Sequence, residues 1–304
     1  MTAPTKRAKP SHDEWLPSEG QRNAVNFLCS TATAALWADP GAGKTSITLA
    51  AFSVLRDRGQ AQRMLVIAPL RVTQLVWRQE IAKWTQFRDM RAVLLHGPKK
   101  DQLLDAALAD GTEIFLINYE GLEWLSNRYF GRQLPFDTIV ADEITKLKNH
   151  ASKRSKKLRP VTKRTPRKWG LTGTPAPNGY LDLFGQFLWL DGGQALGQYI
   201  THYRDMYFKP DFTGFDYVLQ AGGGERIETR IAPSVFRLPY TDLPPLSNDV
   251  RLIEFDAKTA AIYKTMKKDM LAELPEGTVT AANAAAVYSK LSQMANGFVY
   301  LSDE

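Results

Sequence analysis

The segment ADPGAGKTS, residues 38–46, lies between an apolar run, AALWA, and a helical pattern, TSITLAAFSVLRDRG. Gly41 and Gly43 let the backbone fold so that successive N–H groups point at one anion. A helix starting near Thr45 adds its positive dipole end. Lys44 can then bridge the β- and γ-phosphates of a nucleotide, and Thr45 can ligate Mg²⁺. Ala38, Asp39, Pro40 and Ala42 complete the loop. The strict phosphate-loop pattern has glycine where Ala38 stands.

Two further segments supply matching chemistry. TIVADE delivers Asp142 and Glu143 at the end of an apolar strand, where ligands of parallel sheets gather. One carboxylate, Asp142, can hold Mg²⁺ through water. The other, Glu143, can accept the proton of a water attacking the γ-phosphate. Such a pair can also merely cap the next helix, and that reading stands beside the first. In KWGLTGTPAPN a strand enters a turn carrying Thr172, Gly173, Thr174 and Pro175. Alone it is a turn signal; after the loop and the acidic pair it reads as a third, coupling element. Asn178 is a candidate cap for the helix that follows.

These groups need rigid supports. From about Ser18 to Leu190 short apolar runs alternate with helical patterns. RMLVIAP, RAVLLHG, EIFLINY, FDTIVADE and KWGLTG read as strands; VTQLVWRQEIAKW and DQLLDAALADG read as helices. The strands are nearly continuous apolar runs, which predicts burial on both faces. The expected fold class is α/β: a mostly parallel sheet with helices on both sides and right-handed crossovers. After Leu190 the pattern changes. DGGQALGQYITHYRDMYF reads as helical after its glycines, followed by an irregular Gly-rich stretch, in which 211–232 is either a mobile loop or a small hairpin. AKTAAIYKTMKKDML and AANAAAVYSKLSQMANGFVYL read as helices.

The 304 residues carry a net charge of +7. That favours polyanionic partners through counterion release, though charge alone is weak evidence. Cys29 is the single cysteine, so no internal disulfide forms, as suits a reducing cytosol. It reads as a small buried side chain. His12, His96, His150 and His202 do not cluster, so no zinc site is expected. No apolar run approaches the roughly 18 residues of a membrane span. MTAPTKRAKP lacks an apolar segment behind its basic residues and does not read as a signal peptide.

In order and approximate spacing, the loop, the DE strand end and LTGTPAPN resemble superfamily 2 helicases, nearest to the Swi/Snf-related DNA translocases. The resemblance implies a RecA-like, P-loop NTPase domain that uses ATP and Mg²⁺. It implies that Gln21, in LPSEGQRNAVNFL, reads adenine. VIAPLRVTQLVWRQEIAKW looks like motif Ia, with Arg71 and Thr73 as backbone contacts to nucleic acid, double-stranded DNA in preference to RNA. LINYEGL looks like an SYE-type signature. LPPL and AIYKTM resemble the linker before a second motor domain, and LSQMANG that domain's first helix. The implied layout is a lead-in over 1–15, an ATP-binding domain over 16–192, an insert and linker over 193–247, and the start of a second domain over 248–304. The sequence departs from the pattern in DEIT, in ADPGAGKT, and in ending at Glu304, before motifs IV to VI. The expectation is an ATP-dependent helicase or translocase half, weakly active alone, whose second RecA-like domain is supplied in cis downstream or in trans. It would work in a bacterial or virus-infected host cytoplasm. A nucleotide-gated interaction module without motor activity is the alternative.

Between Lys146 and Lys168 there is no acid and eleven bases, among them Lys153, Arg154, Lys156 and Lys157. They are either phosphate contacts or a solvated face. Trp77, Trp84, Trp124, Trp169 and Trp189 lie on regular patterns and are expected in the core rather than stacked on bases.

Overall fold

The computed structural model describes residues 14–212, 214, 216–239, 254–269, 271–274, 277–280 and 284–298. Contacts divide the chain after Asp242 into two compact units.

The first unit begins with α1 (Glu19–Ser30), β1 (Thr33–Ala38), α2 (Lys44–Asp57), β2 (Met64–Ala68) and α3 (Arg78–Lys83). There follow β3 (Ala92–Leu94), α4 (Lys100–Ala109), β4 (Ile114–Asn118), α5 (Leu122–Arg128), β5 (Thr138–Asp142), α6 (Lys153–Thr162), β6 (Arg167–Thr172) and α7 (Leu181–Leu190). These six strands and a seventh, β9 (Val235–Leu238), form one sheet in the order β3-β4-β2-β5-β6-β1-β9, with every pair parallel. β2 and β4 are buried at every position. Alternation still sorts their side chains. Leu65, Ile67, Phe115 and Ile117 join the core on one face; Met64, Val66, Ile114 and Leu116 join the core on the other. This is the α/β, RecA-like architecture that the continuous apolar runs and the resemblance predict.

Three local outcomes differ from the sequence patterns. VTQLVWRQEIAKW is not one uniform helix: Val72–Trp77 is a π-helical turn, and only Arg78–Lys83 is α-helical. The Gly-rich stretch is ordered: after α8 (Ile200–Tyr207) come a hairpin of β7 (Phe208–Pro210) and β8 (Tyr217–Leu219), then α9 (Gly223–Ile231). Its glycines start the helix instead of preventing one. Gly222 takes φ 68 as the N-cap, and a Cβ on Gly223 would lie 2.5 Å from the Tyr207 carbonyl oxygen. Finally β9 (Val235–Leu238), from the stretch read as insert and linker, pairs with β1 and edges the main sheet.

The second unit contains α10 (Ala257–Asp269), an antiparallel hairpin of β10 (Leu271–Leu274) and β11 (Gly277–Thr280), and α11 (Ala284–Ala295). Met266, Val287, Leu291 and Met294 form its small core. AIYKTM lies on α10 and LSQMANG at the end of α11; LPPL and the first thirteen residues fall outside the described residues.

Candidate nucleotide site

β1 ends at Ala38 and α2 starts at Lys44, so the loop between them sits on a strand tip with a helix N-terminus behind it. Gly41 (φ 84) and Gly43 (φ 85) hold left-handed conformations closed to ordinary side chains. Gly43 has a second constraint, since a Cβ there would meet Gln21 Nε2 at 2.8 Å. Gln21 is doubly engaged. Its Oε1 accepts from the Ser18 N–H (2.9 Å), closing the capping box of α1, and its Nε2 donates to the Ala42 carbonyl (3.1 Å). One amide thus ties the first helix to the loop between β1 and α2.

Lys44 Nζ donates to the Ala38 carbonyl at 2.7 Å and the Asp39 carbonyl at 3.2 Å. Burial pushes its pKa down, against the opposing pull of Asp142, Glu143 and Asp39. The ammonium therefore shares one electrostatic field with both carboxylates. A polyphosphate arriving there would replace two carbonyl partners with full negative charge.

The acidic pair is held from several sides. Trp77 Nε1 donates to Asp142 Oδ2 at 2.9 Å. Burial raises the Asp142 pKa, and the indole bond and Lys44 oppose the rise. Glu143 is the one non-glycine residue with positive φ (62°) among the described residues. A left-handed glutamate costs about 1–3 kcal/mol and persists only where its surroundings over-determine it. Here Thr145 Oγ1 and Thr172 Oγ1 both donate to Glu143 Oε1, the latter at 2.9 Å. The Tyr119 hydroxyl lies 2.9 Å from the Asp142 carbonyl oxygen and 3.1 Å from that of Glu143. Burial raises the Tyr119 pKa, so it remains a donor. The helix-cap alternative for the pair fails: Glu143 makes no side-chain cap bond, and its carboxylate turns toward Thr172.

The third element packs on the first. The Thr174 N–H donates to Thr172 Oγ1 (3.1 Å), and Thr172 is fully buried. A Cβ on Gly173 would lie 3.2 Å from Pro40 Cδ and 3.3 Å from the Ala38 carbonyl oxygen, so this turn rests on the loop between β1 and α2. The Pro175 carbonyl is held by Gln186 Nε2 at 2.7 Å. Asn178 caps nothing: its own N–H donates to Asp182 at the start of α7.

Beside the loop opens a cleft of about 740 Å³, lined by Gln21, Lys44, Thr45, Trp15, Glu80 and Trp84 among others. Glu80 accepts from Ser46 Oγ (2.6 Å) and Trp84 Nε1 (2.7 Å), joining α3 to the start of α2. No group of three His, Cys, Asp or Glu side chains able to hold a metal occurs among the described residues. The candidate donors, the hydroxyl of Thr45 in the cleft and the Asp142 carboxylate in the field of Lys44, are oxygens of the kind that suits Mg²⁺, which takes few protein ligands and completes its shell with water and substrate oxygens. Bound there, the ion would neutralise phosphate charge.

Sequence reasoning missed Trp77, Tyr119 and Thr145 as the groups that hold the acidic pair. Trp77 is fully buried, as expected of a core residue, yet its N–H serves the site. Trp77, Glu80 and Trp84 sit at helical i, i+3, i+7 spacing, the signal that could have revealed one functional face.

The nucleic-acid candidates separate. Arg71 is exposed. Thr73 is a correction: it is fully buried and its Oγ1 donates to the Leu70 carbonyl (2.7 Å), so it closes a turn and is not presented to a ligand. Lys153 and Lys156 are exposed on α6. Arg154 pairs with Glu120 at 3.6 Å and stacks over Tyr119, and Lys157 pairs with Glu123 at 3.8 Å. Lys168, last of the basic run, is buried and donates to the Trp189 carbonyl at 2.7 Å. Trp169 and Trp189 are core residues, as expected, while Trp84 and Trp124 are partly exposed.

Comparison with known proteins agrees with this architecture. The family model described as SNF2-related domain matches residues 20–297, and the chain belongs to that family. A relative named putative protein p41, from Acyrthosiphon pisum secondary endosymbiont phage 1, is 33% identical over 94% of this chain and 65% of its own length. The ATP-dependent DNA helicase DDM1 of Arabidopsis thaliana is 33% identical over 47% of this chain and 19% of its own. The chain thus spans less than two thirds of these relatives. The Sulfolobus solfataricus SWI2/SNF2 ATPase core, solved in complex with dsDNA, shares the fold with a TM-score of 0.61 at 23% identity, over 86% of this chain and 54% of that one. No described helix is long and apolar enough to cross a membrane.

Proposed function

We propose that this chain is the ATP-binding motor unit of a nucleic-acid-dependent translocase or helicase, with double-stranded DNA as its track. The observation that carries the reading is the convergence of Lys44, at the start of α2, with Asp142, Glu143 and Thr172, at the ends of the neighbouring strands β5 and β6. In this scheme Gly41, Gly43 and Lys44 grip the phosphates and Thr45 with Asp142 holds Mg²⁺. Glu143 takes the proton of the attacking water. Thr172 ties Glu143 to the turn that rests on the loop, so a change at the γ-phosphate is felt by Thr174 and Pro175. Family membership and the DNA-related names of relatives support the nucleic-acid half of the reading.

The described lining of the nucleotide cleft contains no arginine. On our reading the charge of the transition state is met by an arginine from a second RecA-like domain, in cis or in trans, a contribution worth about 10³–10⁵ in rate. The test is ATP turnover by the chain with duplex DNA, single-stranded DNA, RNA or no nucleic acid, alone and joined to a second motor domain. The expected result is slow turnover alone and DNA-stimulated turnover when joined. Turnover indifferent to nucleic acid in both forms would favour the nucleotide-gated module instead.

A further inference from the structure

The loop between α5 and β5 and the C-terminal half of α6 enclose a second cleft of about 510 Å³. Its chemistry is one-sided. Arg132, Lys156, Lys157, Lys163 and Arg164 line it, and no carboxylate does. Lys157 leans toward Glu123 at 3.8 Å; the other four make no ion pair among the described residues. In this setting Phe130 stands 85% exposed. Its position is fixed by a tight turn: the Phe130 N–H donates to the Asn127 carbonyl (3.4 Å), Gly131 takes φ 70, and the Arg132 N–H donates to the Tyr129 carbonyl (2.9 Å).

A phenyl ring left in water forgoes about 1.5–3 kcal/mol of burial, and five cations with no acid among them repel one another. Both costs are relieved by the same ligand, one with flat π-faces strung on negative charge. We infer that this cleft binds single-stranded nucleic acid, with an unpaired base stacked on Phe130 and flanking phosphates on Lys156, Lys163 and Arg164. A peptide of acidic residues alone, such as polyglutamate, would answer the charge but offers the ring no aromatic face to stack on. A duplex would answer the charge but keeps its bases stacked.

The cleft adjoins the loops that lead into Thr138 and Arg167, the first residues of β5 and β6, whereas Asp142 and Thr172 end those strands. Five or six residues of strand separate the two edges, roughly 15–20 Å. It is therefore a contact apart from the ATP edge and goes beyond the proposed motor function. It would let the chain hold a displaced or unpaired strand while ATP is handled on the opposite edge.

The test measures binding of fluorescein-labelled oligo(dT) to the full chain by anisotropy across a salt series. Phe130→Ala should weaken binding about 5- to 100-fold, with Phe130→Trp restoring it. Lys163→Gln/Arg164→Gln should reduce the log–log salt slope by about 1.4, one phosphate contact for each. Both variants change exposed side chains, and ATP binding should be unaltered in both. Wild-type affinity and slope in both variants would overturn the inference, as would no measurable oligo(dT) binding by the wild type, whatever DNA does to ATP turnover. Polyglutamate bound as tightly as oligo(dT) would reassign the cleft to an acidic protein.

Discussion

The strand tips around Lys44 and the face of α6 are both densely charged, and they treat charge in opposite ways. At the tips every charged group is already engaged: Lys44 on two loop carbonyls, Asp142 by an indole N–H, Glu143 by two threonine hydroxyls. On α6 Lys153 and Lys156 reach into solvent, and Arg154 and Lys157 are tethered only loosely, to Glu120 and Glu123. The first arrangement invests in geometry before a ligand arrives; the second leaves charge free to follow one. Substitutions at the tips should therefore act through position and be large. Substitutions on α6 should act through the summed field and be small and graded.

The largest effect is expected at Lys44. Lys44→Ala removes the only lysine ammonium among loop and strand-tip residues. With charge-assisted bonds worth about 1.5–3 kcal/mol each, ATP affinity should fall by about 10²-fold or more. Titration calorimetry reads this directly, and unchanged affinity would dissolve the contrast, since the loop would then bind no phosphate. Glu143→Gln comes next. It keeps the size and the threonine partners but cannot take a proton, so ATP should still bind while turnover drops about 10²–10⁴-fold. Unaltered turnover would remove Glu143 as the base.

Trp77→Phe sharpens the comparison because it alters no charge. It keeps an aromatic ring in the core and deletes the N–H that steadies Asp142. That bond holds the Asp142 pKa down against burial, so its loss lets the pKa climb further. Asp142 must be ionised to bind a metal, so the acid limb of the turnover profile should move to higher pH, and the Mg²⁺ concentration for half-maximal turnover should rise. A variant with a wild-type pH profile and Mg²⁺ requirement would make Trp77 a packing residue only.

What the sequence disclosed follows the same division. The glycine-bearing loop, the acidic pair and the TGTP turn are legible as neighbouring features because each is a matter of local order: glycines at fixed spacing, a carboxylate pair ending an apolar run, a strand entering a turn. The parallel sheet was legible because both faces of β2 and β4 are apolar. Hidden were contacts between residues far apart in the chain. Nothing local says that Trp77 meets Asp142, 65 positions on, or that Gln21 bonds the Ala42 carbonyl while capping its own helix. Nor does the eleven-base run reveal that its last member, Lys168, is buried against Trp189 and its pKa lowered to about 8. α9 and β9 were hidden for a different reason. Glycines at 222–224 and prolines nearby mask short elements whose order comes from packing against α8 and β1.

Lys168 gives a pH test that separates buried from solvated charge within a single basic stretch. Its folded pKa of about 8 lies below its unfolded value near 10.4 because burial disfavours the ammonium, with Asp191 partly opposing. Between those values the unfolded chain binds more protons than the folded one, so this group makes stability rise with pH from about 8 to about 10.4. Lys168→Met should flatten that rise in denaturant melts, by a few kcal/mol at most across the window. Melts of the two proteins that stay parallel would place Lys168 in water, with the rest of its run.

The smallest effect belongs to the solvated members. Lys153→Gln and Lys156→Gln should leave folding and ATP affinity unchanged, because neither side chain is buried and neither forms an ion pair among the described residues. Each lysine that meets a duplex phosphate contributes about 0.9 to the log–log slope of affinity against salt, so the double variant should flatten the slope by up to about 1.8. The form of the loss matters more than its size. A phosphate contact is lost equally on any duplex sequence and fades as salt rises, whereas a geometric contact of the strand-tip kind would persist in high salt. An unchanged slope would take these two lysines off the path of a duplex, leaving the single-strand contact of Lys156 to its own test. A loss that survived high salt would mean that α6 positions its ligand as rigidly as the phosphate loop does.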